Sequence, residues 1–165
     1  MEHKPLKRSP HIVALSQDHH LGLLFCWKIK EGLKKGIHLS RIKAYLNYYW
    51  QNHLLEHFRE EETLLFNEIN NALIQRGRDE HLLLSKLANK IVRDNNFNNA
   101  DFLSFAELLT KHIRFEERIL FPQLEAELPT ATLVAAGIYL NQQHATHCID
   151  NYPDQFWVDE IKPVK

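Results

Sequence analysis

His57 and Glu61 stand four residues apart in HFREEETLLFNEI, and His112 and Glu116 stand four apart in HIRFEERILFPQL. Aligned at the histidines, six of the thirteen positions match: His, Arg, Glu, Glu, Leu and Phe. Residues four apart on a helix share a face, one turn above the other. Each stretch therefore offers an imidazole beside a carboxylate. These are donors that first-row divalent metals accept. Two such stretches facing each other form a site for a pair of metal ions.

Each stretch has a histidine upstream. Asp18-His19 and Glu80-His81 are acid-His pairs followed by leucines. His19 precedes His57 by 38 residues, and His81 precedes His112 by 31. The chain reads as two copies of one unit: a helix with one histidine, a turn, then a helix with His-x-x-x-Glu. Two such hairpins related by a pseudo-twofold bring four imidazoles and two carboxylates into one core.

The elements that must position these residues all read as helices. Ser9-Pro10 offers a capping hydroxyl and then proline at the first helical position. Ile12, Leu15, His19, Leu23, Cys26 and Ile29 continue at helical spacing until Gly36. Ser40 caps a second helix that carries Leu46, Tyr49, His53, His57, Glu61 and Leu64 and fades near Asn70-Asn71. A third spans about Arg78 to Asp94, with Leu84, Leu87, Ala88 and Ile91 as its stripe. The run 94–99 is a break. A fourth helix starts near Asn99 and carries Phe102, Phe105, Leu109, His112, Glu116 and Ile119. Pro122 should kink it or end its first segment. Pro129-Thr130 opens a fifth helix reaching about Cys148. The tail, with Tyr152-Pro153 and Phe156-Trp157, reads as irregular but packed. Short connections between long helices predict an all-α fold, an up-down four-helix bundle over about 10–127. The fifth helix and tail, 129–165, are additional, within a single domain of 1–165.

Composition sets the outer limits. The chain has 165 residues, 44% apolar and 25% charged, which suits one domain with a real core. A formal net charge of −1 gives no reason to expect nucleic acid or an anionic membrane. The first 43 residues lean basic, with Lys28, Lys35 and Arg41 among them, which reads as a solvated helix face. Cys26 and Cys148 are too few for a disulfide framework and suit a reducing compartment. No apolar run approaches a membrane span of about 20 residues, and the N-terminus lacks a secretory pattern. The expectation is a soluble cytoplasmic protein, monomeric or homodimeric.

The set His19, His57-x-x-x-Glu61, His81 and His112-x-x-x-Glu116 resembles the hemerythrin-like, HHE cation-binding domain over residues 10 to 127, and the words EEETLLF and EERILFP add to the likeness. The resemblance implies a non-haem centre of two iron ions, oxo- or hydroxo-bridged, for which manganese is the alternative metal. Glu61 and Glu116 would bridge the ions, with His19, His57, His81 and His112 as terminal ligands. The family's oxygen carriers have a further histidine one turn from the first on helix three. Here the positions one turn either side of His81 are Gly77 and Ser85. Those carriers also end with an aspartate five residues after the last histidine, where this chain has Glu116 at four and Glu117 at five. The implied coordination is more open, which favours reaction with small molecules over simple oxygen carriage.

Other residues have plainer readings. His20 points about 100° away from His19 around the helix; His19 is preferred because its setting matches Glu80-His81, with His20 the alternative. His53, one turn before His57, reads as a residue behind the site or on the way to it, with ligation the alternative. Tyr49 shares its face and reads as core. Glu60 and Glu62 read as facing solvent or arginines, and His144 and His147 as a wet helix face. His3, His11 and His38 have no partner pattern. The Glu-x-x-His of ferritin-like di-iron proteins is absent, as is the His-Glu-x-x-His of zinc hydrolases.

Three functions follow in order. The first is a di-iron protein that handles dioxygen, nitric oxide or iron by sensing, binding or storage. The second is an enzyme on the same centre, of the iron–sulfur-cluster repair or nitric oxide/peroxide-reducing type, although the chain lacks the paired-cysteine N-terminal segment often found in the repair branch. The third is a metal-free helical interaction module.

Overall fold

The computed structural model describes residues 7–144 and 149–159, and in these it is helical with no strand. The helices are α1 (Val13–Lys34), α2 (Leu39–Tyr49), α3 (Leu55–Leu64), α4 (Ala72–Val92), α5 (Asn99–Phe115), α6 (Phe121–Glu127) and α7 (Thr130–Gln143). A π-helical segment, Trp50–Leu54, joins α2 to α3, and another, Glu116–Leu120, joins α5 to α6. The α2–α3 and α5–α6 pairs are therefore two long rods. Helix α1 packs on α5, α2 and α3, while α4 packs on α5 and α2.

Helix boundaries depart from expectation where polar side chains find local backbone partners. Ser9 opens a turn, accepting from the Ile12 amide through its carbonyl, and the α-helix proper begins at Val13. His38 rather than Ser40 caps α2: its Nδ1 accepts from the Ser40 amide at 3.3 Å. Asn71 marks a start rather than a fading end. Its Oδ1 accepts from Leu73 and Ile74 amides at 3.0 and 2.9 Å, so α4 begins six residues before Arg78. Asn98 and Asp101 form a reciprocal capping box at the start of α5. The first segment ends ahead of Pro122, as expected, at Phe115, but the rod itself continues. The Phe121 amide reaches five residues back to Glu116, and the wider turn leads into α6 with proline in its first turn. The reading of α7 to Cys148 runs into 145–148, outside the described residues.

Two apolar clusters form the core. One gathers Phe25, Tyr45, Trp50, Leu84, Phe102 and Phe105; the other gathers Leu15, Phe66, Ile74, Leu120, Phe121 and Leu140. Along every rod the buried histidines and glutamates fall between them, as a polar layer closed off on two sides. Cys26 lies in the first cluster, and burial pushes its thiol pKa up to about 11.

The tail is packed, and cations hold it. Phe156 and Trp157 are buried in the first cluster. Lys28 donates to Asp150 at 2.7 Å and lies 4.2 Å from the Trp157 ring centroid. Arg41 makes a two-pronged pair with Asp154 at 2.9 and 2.7 Å. Lys35 bonds the Trp157 carbonyl and Asp159 at 2.7 and 2.8 Å. The basic N-terminal stretch is thus no uniform solvated face: three of its cations grip an acidic strap.

Gly32 is where α1 lets the strap in. A Cβ there would lie 2.6 Å from the Phe156 ring. Alanine in a helix interior ordinarily gains about 1 kcal/mol over glycine. Gly32→Ala should instead destabilise by about 1–3 kcal/mol through overpacking. In a Phe156→Ala background the same change should turn neutral or stabilising, and urea midpoints of the four proteins check the reversal.

Candidate metal centre

His19 comes from α1, His57 and Glu61 from α3, His81 from α4, His112 from α5, and Glu116 from the π-helical segment that follows. All six are buried, and Glu61, His112 and Glu116 are wholly so. Their donor atoms form two groups, His19–His57–Glu61–Glu116 and Glu61–His81–His112–Glu116, each within 4.8 Å. The two glutamates belong to both. Glu61 Oε1 lies 2.9 Å from His57 Nε2 and 3.3 Å from His19 Nε2, while its Oε2 lies 3.2 Å from His81 Nε2. Glu116 mirrors this: Oε2 is 3.0 Å from His19 Nε2, and Oε1 is 3.2 Å from His112 Nε2. Each carboxylate thus turns one oxygen to each half.

These close approaches are not ordinary hydrogen bonds. All four oxygens of Glu61 and Glu116 are buried without a hydrogen-bond donor in line. Nitrogens and oxygens aim past one another at shared points between them. His57 Nε2 also faces His19 Nε2 at 3.0 Å, and His81 Nε2 faces His112 Nε2 at 3.1 Å.

The outer nitrogens explain the orientation. Each Nδ1 meets a second carboxylate: His19 with Glu117 at 2.7 Å, His57 with Asp18 at 3.1 Å, His81 with Glu62 at 2.7 Å and His112 with Glu80 at 2.8 Å. An ionised carboxylate only accepts, so each Nδ1–H donates outward and the Nε2 lone pair turns inward. This is the arrangement that fixes the tautomer of metal-binding histidines and raises their basicity. Arg8 braces Glu117 at 2.9 Å, and Arg76 braces Glu80 at 2.7 Å. Phe66 stacks near His81 and Phe121 near His19, at corresponding places in the two repeats.

Burying two glutamates without partners costs several kcal/mol. Six inward-facing residues around two shared points, four imidazoles and two carboxylates, suit two cations, and the residues fit a metal pair on this ground. In the metal-free protein, protons stand in. Burial opposes charge on His19 and His81, yet the carboxylates of Glu116 and Glu61, with Glu117 beside His19 and Glu62 beside His81, hold both pKa values well above the imidazole range. His57, likewise opposed by burial, is raised to about 9 by Glu61 and Asp18. Burial pushes Glu61 and Glu116 up, but the surrounding imidazoles win and hold both carboxyls well below their usual range.

Several neighbours differ from their sequence readings. Glu60 is buried rather than solvent-facing. Glu62 meets an arginine, Arg78 at 3.3 Å, but also supports His81. His144 is half-buried, not on a wet face, with Nε2 3.0 Å from Glu60; His147 lies outside the described residues. His20 is exposed. His53 is in neither donor group; it packs on Tyr49, and its Nε2 is buried without a partner. At Gly77 a Cβ would sit 3.1 Å from the Phe66 ring, so no histidine fits there without moving Phe66. The outer carboxylates Asp18, Glu62, Glu80 and Glu117 were the functional residues missed by spacing alone. Their signal was present: an acid precedes the first histidine of each repeat, and a glutamate follows the second by five.

A buried layer of four imidazoles and two shared carboxylates offers the donor set of a carboxylate-histidine metal site. The hemerythrin HHE cation-binding domain model matches residues 12–124, and the chain belongs to that family. No curated protein and no solved structure matches the chain.

Two outcomes test the site. Glu80→Gln removes the charge behind His112 while keeping its shape, and should weaken metal binding about 10–100-fold with the fold retained; competition with a chromogenic chelator measures it. Metal-free protein should melt highest between about pH 5 and 6.5. The His57 contribution is complete below the ordinary 6.5 and is lost as pH rises through about 9. The Glu61 contribution is complete above the ordinary 4.5 and is lost as pH falls. A melting-temperature profile of chelated protein from pH 2 to pH 10 reads both limbs.

Proposed function

We propose that this protein is a cytoplasmic non-haem di-iron binding protein that handles dioxygen, nitric oxide or iron. His19 and His57 would hold one ion, His81 and His112 the other, with Glu61 and Glu116 across both. The observation that carries the reading is the convergence of four imidazoles and two carboxylates, with the outer nitrogen of every imidazole tied to a further carboxylate. Iron bound there supplies redox capacity and open positions for a small diatomic ligand; manganese suits the same donors. The fold reading that goes with this is a single domain of 1–165, its rods in up-down order, with α7 and the strap as additions. No described helix is long and apolar enough to cross a membrane.

The chain's own residues do the holding and the shielding. Asp18, Glu62, Glu80 and Glu117 keep protons on the outer nitrogens and the lone pairs inward. Phe58 stacks on His81 at 4.0 Å and helps exclude water. A metal-free interaction module leaves four carboxylate oxygens buried without in-line donors, which counts against that alternative.

One observation favours a second reading, a di-iron enzyme that reduces nitric oxide or peroxide. A cavity of about 270 Å³ reaches His19, His57 and His112 past Tyr49 and His53. A water molecule takes only about 30 Å³ of liquid, so this space admits peroxide or two nitric oxide molecules together beside the centre.

Protein purified without chelator should carry about two irons per chain. Glu61→Ala combined with Glu116→Ala should abolish that content. Chelation should lower the melting temperature of wild type and leave the double variant unmoved. Wild type that takes up neither iron nor manganese would overturn the proposal.

A further inference from the structure

A second group of donors lies outside the six-residue centre. Asp18, Glu60 and His144 bring two carboxylate oxygens and an imidazole nitrogen within 4.8 Å of one another. His144 Nε2 is 3.0 Å from Glu60 Oε2, and its Nδ1 is 3.6 Å from Asp18 Oδ1. Glu60 is 1% exposed, and its Oε1 is buried with no partner. All three residues line the cavity that reaches the metal centre. The imidazole can pair with both carboxylates, one through each ring nitrogen, but that pairing leaves the second Glu60 oxygen buried at the cavity wall with no partner.

We infer that Asp18, Glu60 and His144 form a third cation site, taking a divalent first-row ion such as Mn²⁺, Fe²⁺ or Zn²⁺ at the wall of the cavity. The donor set is one nitrogen and two oxygens, which such ions accept. One ring nitrogen of His144 would ligate, and bonds of about 2.0–2.2 Å require Asp18 and the ring to draw in slightly from the 4.8 Å within which the three donors now lie. Cavity water completes the shell. Asp18 ties this site to the centre: Oδ2 accepts from His57 Nδ1 at 3.1 Å, while Oδ1 faces His144. An ion here is one carboxylate and one imidazole away from the His19–His57 group.

The test is equilibrium dialysis of the chelated full chain against Mn²⁺, with metal analysis over a range of free Mn²⁺. Wild type should bind a third ion beyond the central pair. Glu60→Gln and His144→Ala should each keep the pair and lose the third ion. Glu61→Gln combined with Glu116→Gln should lose the pair and keep the third. His144 ends a helix and is half-buried, so its variant folds; circular dichroism verifies this. Wild type that stops at two ions, or a third ion that survives both Glu60→Gln and His144→Ala, overturns the inference while leaving the di-iron reading intact. A single ion lost with His144→Ala supports this site and counts against the central pair. No uptake at all overturns both.

Discussion

Everything in this molecule accommodates one electrostatic conflict: acceptors forced to meet in a dry core. Glu61 and Glu116 bring negative charge to the middle of the helical rods, where no water can solvate it. Four imidazoles ring them, and outer carboxylates turn those imidazoles inward. Only positive charge at the shared points resolves the conflict, either as protons or as metal ions. The two apolar clusters on either side raise the stakes, because low polarity strengthens each attraction and makes each unpaired group more costly.

The helices reflect that demand. The π-helical segments lie one just before His57 and one beginning at Glu116. A π turn shifts the facing of everything that follows, so it re-aims side chains without breaking the rod. The second also lets the rod run past Pro122. Gly77 and Gly22 keep the approach tight: a Cβ would meet Phe66 at 3.1 Å and Ile113 at 2.9 Å. A histidine at Gly77 would thus meet a steric obstacle. Phe66 packs over His81 and the α4 backbone, and a side chain at Gly77 would displace it.

How much of this was legible in the sequence depends on the range of each interaction. The six inward residues were readable because helical spacing and internal repetition act along one chain segment. Their outer partners repeat along the chain too, but which histidine each one supports was not readable. Asp18 sits beside His19 in sequence yet supports His57, and Glu62 follows Glu61 yet supports His81. Such pairings depend on how neighbouring helices rotate against each other, which no single-segment period encodes. Helix starts at His38 and Asn71 were misplaced for a local reason: a capping side chain looks like loop when read by apolar pattern. The strap was legible as packed from its aromatics, but Glu60, His144 and the cations that hold the strap escaped because charged residues read as solvated until a distant segment covers them. Lys28 looked like helix-surface charge and is in fact buried against Asp150 and Trp157.

The outer carboxylates follow a walk around the repeats. Asp18 and Glu80 each support the second histidine of their own repeat, while Glu62 and Glu117 each support the first histidine of the other. Exchanging the two halves of the chain maps this set of contacts onto itself. That self-mapping is the defining property of an isologous interface between identical subunits. The polar core is thus a homodimer contact written within one chain. Neither half can complete its own ring, and a second copy of the same half offers the groups it lacks. The tether between α3 and α4 holds the two halves at an effectively fixed concentration, so the ring closes without waiting for a partner.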